Sequence, residues 1–302
     1  MNDFPGGRQL DYNNADAVSA LMRDAAGVLM SEPGREGASV RLPADGRLLI
    51  TGDLHDHLDN WHRILHLASL EGNPGNHVLL QELIHGDRLV NGLDFSWRML
   101  VRVAEVVLAY PGQVHVILGN HELAQLTRRP VSKGAGNSVA LFEDAIDWTF
   151  NDRADEVTAS IDAFLASLPL CVRTSNGLLC THSLPDTSRM GQFDRCILDR
   201  RIESTDYEGM EGSAWMLTWG RNHEDDQLEE LAELWNVSTF CIGHQFVPEG
   251  ISQLGQRLVA LNSDHARGVA VPWDLGRTPS PKSLLESAIP LQSVPIPQVG
   301  ET

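Results

Sequence analysis

Five short apolar runs of the sequence each end in side chains that could bind a metal ion or move a proton. The run endings, in chain order, are "GDLH" with Asp53 and His55, "GD" with Asp87, "GNHE" with Asn120 and His121, "THS" with His182, and "GHQ" with His244. In open α/β sheets, ligands bind beyond the carboxyl ends of the strands. A single polar strand end is ordinary loop chemistry, but five that carry only Asp, Asn and His predict one converging site.

The types of these side chains indicate which ions the site would hold. Imidazole suits Zn and Fe, whereas carboxylate and amide oxygens suit harder ions such as Mn. Six candidate ligands are too many for one tetrahedral zinc, but they fit two ions that share a carboxylate; the six are Asp53, His55, Asp87, Asn120, His182 and His244. Two ions about 3.5–4 Å apart stabilise both the attacking and the leaving oxygen of an in-line displacement. The sequence therefore predicts phosphate-ester hydrolysis with two divalent ions, with Mn favoured and Fe or Zn as alternatives.

Hydrophobic periodicity predicts the elements that would position these residues. Helices are predicted over 15–30, 57–70, 94–110, 153–168 and 225–235. The apolar runs between them are short and flanked by Gly, Asn or Pro, which favours strands. This alternation indicates an α/β layered domain.

Three segments are expected along the chain. Residues 1–14 would be an N-terminal extension, and 15–271 would form the catalytic domain. The last 31 residues, 272–302, hold six of the 15 prolines without a clear period, which predicts a Pro-rich tail that is extended or disordered.

Composition limits the partners. The formal net charge of −18 disfavours a non-specific grip on nucleic acid or on an anionic membrane. No apolar stretch approaches the length of a membrane span, and the N-terminus does not resemble a signal peptide. The four cysteines show no C-x-x-C spacing, which predicts buried free thiols and a reducing, cytoplasmic location.

The five motifs, in this order, resemble those of the calcineurin-like metallophosphoesterases. The likeness extends to the phosphoprotein (serine/threonine) phosphatase branch through "FLASLPLCVRTSNGLLCTHSLPD", "AWMLTWGRN" and "IGHQFVPEG", and it covers roughly residues 15–270. The resemblance implies two central mixed β-sheets packed face to face with helices outside.

The resemblance also implies roles for the motif residues. Asp53, His55 and Asp87 would hold one metal, and Asp87 would bridge to a second metal held also by Asn120, His182 and His244. A water or hydroxide between the metals would attack phosphorus. His121 would protonate the leaving oxygen.

The chain departs from the family pattern at positions that matter for the substrate. The second motif usually reads Gly-Asp-x-x-Asp-Arg-Gly, but "GDRLVNG" has Val90 and Asn91 where Asp and Arg are expected, and Leu118 stands where an Arg usually precedes "GNHE". Two phosphate-binding arginines and the carboxylate that orients His121 are therefore missing. Arg88 and Arg221 are candidates to bind the substrate phosphate instead.

Three functions remain open. The first is a metal-dependent phosphatase acting on phosphate monoesters, including phosphoserine or phosphothreonine in proteins. The second is a dinucleoside polyphosphate hydrolase, because "VILGNHELAQL" resembles the bacterial symmetrical diadenosine tetraphosphatases. The third is a catalytically weakened metal protein that binds a phosphorylated partner.

Overall fold

The computed structural model describes residues 10–132 and 136–296. Its helices are α1 (Ala15–Met30), α2 (Leu58–Ala68), α3 (Trp97–Ala109), α4 (Asn120–Thr127), α5 (Ser138–Phe150), α6 (Ala154–Ser167), α7 (Ser213–Trp219), α8 (Asp225–Trp235) and α9 (Pro281–Ser287). Its strands are β1 (Arg35–Glu36), β2 (Ser39–Arg41), β3 (Arg47–Asp53), β4 (Asn76–Gln81), β5 (Val114–Val116), β6 (Cys171–Arg173), β7 (Leu178–Thr181), β8 (Thr239–Ile242), β9 (Ile251–Gln253), β10 (Leu258–Leu261), β11 (Val269–Asp274) and β12 (Ile289–Pro290).

The strands form two mixed sheets. One has the order β1-β2-β6-β7-β8-β10-β9 and the other the order β12-β11-β3-β4-β5. Strands β3, β4 and β5 run parallel, as do β7, β8 and β10, so their carboxyl ends lie at common edges. A bridge between Asp53 and Asn262 joins the two sheets at this edge. The predicted α/β architecture of two mixed sheets with helices is confirmed.

Alternating side chains divide the core into two layers. Leu48 and Ile50 of β3 belong to a cluster shared with Cys180 and Val259 from the other sheet, which fills the space between the sheets. Leu49 belongs instead to the cluster formed with the helices. This period of two is the one that a strand covered on both faces requires.

The C-terminal region differs from the extended or disordered tail that its prolines indicated. Strand β11 pairs antiparallel with β3 as far as Asp274, and helix α9 and strand β12 follow. The prolines of this region lie at positions where the absence of a backbone N–H costs little stability. Pro272 lies beyond the two β11 residues that pair with β12, and Pro281 lies in the first turn of α9 behind its Ser280 N-cap. Residues 297–302 lie outside the described part.

The four cysteines are free, as expected, and Cys171, Cys180 and Cys241 are buried. Within 10–132 and 136–296, no helix has both the length and the apolar character needed to cross a membrane.

Candidate metal centre

The first two ligand candidates lie at the carboxyl end of β3, with Asp53 as its last residue and His55 just beyond it. Both carboxylate oxygens of Asp53 accept hydrogen bonds from the backbone N–H of His244, at 2.9 and 3.1 Å. The Nδ1 of His55 lies 2.9 Å from the carbonyl oxygen of Ile84, which can only accept, so Nδ1 carries the proton. The lone pair of His55 is therefore on Nε2, which lies 3.7 Å from a carboxylate oxygen of Glu82.

Glu82 is the carboxylate at the centre of this group. Its Oε1 lies 3.7 Å from Nε2 of His55 and 3.7 Å from Nε2 of His121, and its Oε2 lies 3.2 Å from Nε2 of His182. The side chain is 2% exposed. His55, Glu82 and His121 form a group whose donor atoms could hold one metal ion.

The other candidates meet around Asn120, the first residue of α4. Its Oδ1 lies 2.9 Å from Nε2 of His182 and 2.8 Å from Nδ1 of His244. The Nδ1 of His182 lies 2.8 Å from Oε1 of Gln81, whose amide nitrogen donates to the carbonyl oxygen of Thr51. The His182 proton is thus held on Nδ1, and its Nε2 lone pair faces Asn120 and Glu82.

These contacts leave acceptor atoms facing one another. Burial lowers the pKa of His182 well below its usual value, and the charges of His244, His121 and Arg221 act in the same direction. Burial, followed by the charge of Arg221, lowers the pKa of His244 to about 3. The protons of His55 and His182 are on Nδ1, so their Nε2 lone pairs face the oxygens of Glu82 and Asn120. A bound cation would satisfy them, so the residues present fit divalent metal ions.

A buried carboxylate holds the loop that carries Glu82. Oε1 of Glu122 accepts hydrogen bonds from the backbone N–H of Leu83 at 2.7 Å and of Ile84 at 3.2 Å. Burial raises the pKa of Glu122, and these backbone hydrogen bonds oppose that shift. A Cβ at Gly119 would lie 2.2 Å from Glu82 Oε2 and 2.4 Å from Glu122 Oε2, which explains the glycine of "GNHE".

Among the described residues, Asp87 forms no hydrogen bond or ion pair with the group around Glu82 and Asn120. It is exposed and lines an open cleft of about 360 Å³ beside His55, Asp56 and Arg88. Nη2 of Arg88 donates to Oδ2 of the buried Asp56 at 2.7 Å. Burial raises the pKa of Asp56, and the hydrogen bond and charge of Arg88 act against this. The structure thus brings together Asp53, His55, Asn120, His121, His182 and His244, but with Glu82 rather than Asp87.

His121 lies among the ligand candidates and next to a further buried imidazole. Its ring centroid is 5.0 Å from that of His55 and 5.4 Å from that of His85. Nδ1 of His85 is bonded to Oδ2 of Asp94 at 2.7 Å. No sequence argument singled out this His85–Asp94 pair.

Arg221 lies beside His244. Its Nη1 donates to the carbonyl oxygen of His244 at 3.1 Å, and its backbone N–H donates to Asp186 at 2.8 Å. The side chain is exposed and makes no ion pair with the described carboxylates. It is therefore free to meet an anionic substrate.

The sequence analysis missed Glu82 because the run "HVLLQELI" reads as one strand ending at Ile84. The structure ends β4 at Gln81, and Glu82 has a positive φ of 48°. The pairing of β4 with β3 indicates the position of Glu82. Gln81 is the β4 residue in register with Asp53, so the residue after Gln81 reaches the same edge of the sheet. When the family's second motif is aligned on Glu82, its second Asp falls on His85 and its Arg on Gly86.

Comparison with known proteins identifies the family. The model of the calcineurin-like phosphoesterases matches residues 46–248, which is more than half of the chain. The chain belongs to this family and is a metal-dependent phosphatase, a phosphoric ester hydrolase.

Solved structures share the fold at low sequence identity. A protein serine/threonine phosphatase from Saccharomyces cerevisiae, with similarity to human phosphatase PP5, aligns over 94% of this chain and 90% of its own, with a TM-score of 0.60 and 15% identity. A cold-active protein-tyrosine phosphatase of a psychrophilic Shewanella aligns over 82% of this chain and 80% of its own, with a TM-score of 0.53 and 13% identity. These similarities concern the fold alone. The search of curated proteins finds no match.

Proposed function

We propose that the protein is a two-metal phosphoesterase that hydrolyses phosphate monoesters, with phosphoserine and phosphothreonine of proteins as candidate substrates. The observation that carries this proposal is the convergence of the ring nitrogens of His55, His182 and His244 with Asn120 and Glu82 at 2.8–3.7 Å. One ion would be held by Asp53, His55 and Glu82, and the second by Glu82, Asn120, His182 and His244. Glu82 takes the bridging role that the sequence analysis gave to Asp87.

Activation of water, protonation of the leaving oxygen and binding of the substrate phosphate are assigned to different groups. Divalent ions in this site, with Mn first and Fe or Zn as alternatives, would activate water and neutralise phosphate charge. His121 contacts His55 and Glu82 and is assigned as the acid that protonates the leaving oxygen. Arg221, which extends past His244, is assigned to the substrate phosphate. The free cysteines fit a reducing compartment, and we place the enzyme in the cytoplasm.

A substrate and metal screen tests the proposal. The purified protein is stripped of metal, reloaded separately with Mn, Fe, Zn or Mg, and assayed on p-nitrophenyl phosphate, phosphopeptides and diadenosine tetraphosphate. We expect metal-dependent hydrolysis of the monoesters. Hydrolysis of diadenosine tetraphosphate alone would establish the dinucleotide reaction instead. Stoichiometric metal binding without any turnover would support the phospho-binding protein.

A further inference from the structure

A buried histidine outside the proposed ligand set lies against the ring of His121. This residue, His85, follows β4 and is fully buried, and its Nδ1 lies 2.7 Å from Oδ2 of Asp94, which is also buried. Oδ1 of Asp94 accepts a hydrogen bond from the backbone N–H of Ser96 at 2.9 Å, and Oγ of Ser96 accepts one from the backbone N–H of His85 at 3.0 Å. These connected hydrogen bonds fix the imidazole of His85 relative to Asp94.

The contact with Asp94 determines which ring nitrogen of His85 carries the proton. A carboxylate oxygen accepts a hydrogen bond, so the proton lies on Nδ1 and the lone pair on Nε2. That Nε2 is buried and makes no hydrogen bond with the described residues. The ring of Phe142 packs edge-on against the imidazole, with centroids 5.4 Å apart. His85 therefore presents a buried acceptor of fixed orientation, and a buried acceptor without a donor costs stability.

The ring of His121 is close enough to supply a donor. Its centroid lies 5.4 Å from that of His85, and the two planes are inclined by 51°. The His77–His115 pair shows that this spacing allows ring nitrogens to meet, because its centroids are 5.2 Å apart and Nδ1 of His77 lies 3.0 Å from Nε2 of His115. Hydrogen bonds of a catalytic group often tighten only when the substrate is bound.

We infer that His85 is a positioning residue whose Nε2 accepts the Nδ1 proton of His121 when substrate is bound, and that Asp94 holds His85 in the tautomer that can accept. Nε2 of His121 faces the metal centre, 3.7 Å from Oε1 of Glu82, and gives its proton to the leaving oxygen. The Nδ1 proton stays on His121 during this step. The inference rests on the proposed function, since it takes His121 as the acid. It differs from the direct carboxylate contact that the family resemblance implies, because an imidazole lies between Asp94 and His121.

Asp94→Asn tests the pair because it reverses the tautomer of His85 while keeping the shape of the side chain at position 94. The amide oxygen can still accept from the backbone of Ser96, so the amide nitrogen faces Nδ1 of His85 and donates to it. The proton of His85 then moves to Nε2, which can no longer accept from His121. We expect kcat on phenyl phosphate to fall by at least about 10-fold and kcat on p-nitrophenyl phosphate to stay within about twofold. KM and metal content should remain as in the wild type.

A double variant separates positioning from a general loss of structure. Adding Asp94→Asn to His121→Asn should change kcat by no more than about twofold, because the acid that the pair orients is already absent. Losses that multiply in the double variant, or equal losses on phenyl phosphate and p-nitrophenyl phosphate, would overturn the inference. Asp144→Asn, at an exposed carboxylate of α5, is the matched control and should change neither rate.

Nuclear magnetic resonance provides a readout that does not depend on turnover. Long-range proton–nitrogen spectra of the zinc-loaded protein with inorganic phosphate should show a proton on Nδ1 of both His85 and His121 in the wild type. In Asp94→Asn the proton of His85 should lie on Nε2. A wild-type His85 protonated on Nε2, or a His121 without a proton on Nδ1, would overturn the inference even if Asp94→Asn does not fold. If the spectra are as expected but no ester is hydrolysed, only the proposed reaction falls.

Discussion

Each end of β4 carries a buried histidine cluster, and the two clusters differ in the contacts that their ring nitrogens make. At the amino end, Nδ1 of His77 lies 3.0 Å from Nε2 of His115, whose Nδ1 pairs with the carboxylate of Glu32. A hydrogen-bond donor can face an acceptor at each step from His77 through His115 to Glu32, so a proton can lie between the two atoms of each contact. At the carboxyl end, His55 and His182 carry their protons on Nδ1, and the Nε2 atoms of both rings face the carboxylate of Glu82.

The difference teaches that buried histidines alone do not mark a metal site. Both clusters contain buried imidazoles and a buried carboxylate, but only the carboxyl-end cluster brings three possible ligand atoms close enough to hold one ion. The amino-end chain can alternate donors with acceptors and can thereby stabilise the fold. The carboxyl-end group has the ligand atoms that a cation requires, and this is the physical basis for proposing the function there.

The largest effect should come from removing the charge of Glu82. Glu82→Gln keeps the shape of the side chain but loses the anion shared by both proposed metals, so kcat/KM on p-nitrophenyl phosphate should fall by at least about 100-fold. Asp87→Asn is the matched control because Asp87 is exposed in the cleft, and it should change kcat/KM by no more than about twofold. Steady-state kinetics with saturating Mn would check both values.

His121→Asn should come next, with a loss in kcat of about 100-fold on substrates with poor leaving groups. The loss should shrink with p-nitrophenol, which leaves without being protonated. A loss of the same size on phenyl phosphate and p-nitrophenyl phosphate would speak against the proton role. It would favour His121 as a third ligand beside His55 and Glu82.

A smaller effect is expected at the rim of the centre. Arg221→Ala should lower kcat/KM by about 10-fold, because one charge-assisted hydrogen bond contributes about 1.5–3 kcal/mol. Arg221→Lys should rescue poorly, since it lacks the planar fork. Arg88 is the alternative residue for binding the substrate phosphate, but its Nη2 already donates a hydrogen bond to Asp56. Arg267→Ala, at an exposed arginine paired with Glu249, is the control; equal losses in the Arg221 and Arg267 variants would remove Arg221 from the site.

A separate effect, on stability rather than on turnover, concerns the amino-end cluster and its pH dependence. Burial and the charge of His115 lower the pKa of His77 to about 4. Because a free histidine titrates near 6.5, the unfolded state takes up the proton first. The stability contributed by neutral His77 is therefore full above about pH 6.5 and falls by about 3 kcal/mol as the pH drops towards 4.

Urea denaturation of the metal-free protein at pH 7, 5.5 and 4.5 would measure this. His77→Asn should show a shallower loss of unfolding free energy than the wild type over that range, since Asn keeps a polar group near the position of Nδ1 without titrating. Parallel pH profiles for the two proteins would exclude His77 as the source of the dependence.

Several helices, strands and candidate ligands could be predicted from the sequence because the local patterns that indicate them are strong. The helices at 15–30 and 225–235 and the strands that end at Asp53, His182 and His244 followed from periodicity and strand-end chemistry. Glu82 could not be found this way, because Leu83 and Ile84 extend its apolar run past the point where the backbone leaves the sheet. The C-terminal strand and helix were hidden by prolines that occupy permissive positions, which only the pairing of β11 reveals.

Contacts between distant segments were also beyond the sequence. The His77–His115–Glu32 chain joins two strands and the turn after α1, and the cleft between α3 and residues 10–13 is formed by two segments far apart in the sequence. Neither has a local pattern that periodicity could detect.

Metal stoichiometry tests the central claim most directly. Wild-type protein, Glu82→Gln and Asp87→Asn would be loaded with Mn, freed of unbound metal and subjected to elemental analysis. The metal centre described above predicts two ions per chain for the wild type and for Asp87→Asn, and fewer than two for Glu82→Gln. Loss of metal in Asp87→Asn together with two ions per chain in Glu82→Gln would contradict this prediction. Asp87 rather than Glu82 would then be assigned as the carboxylate shared by the two metals.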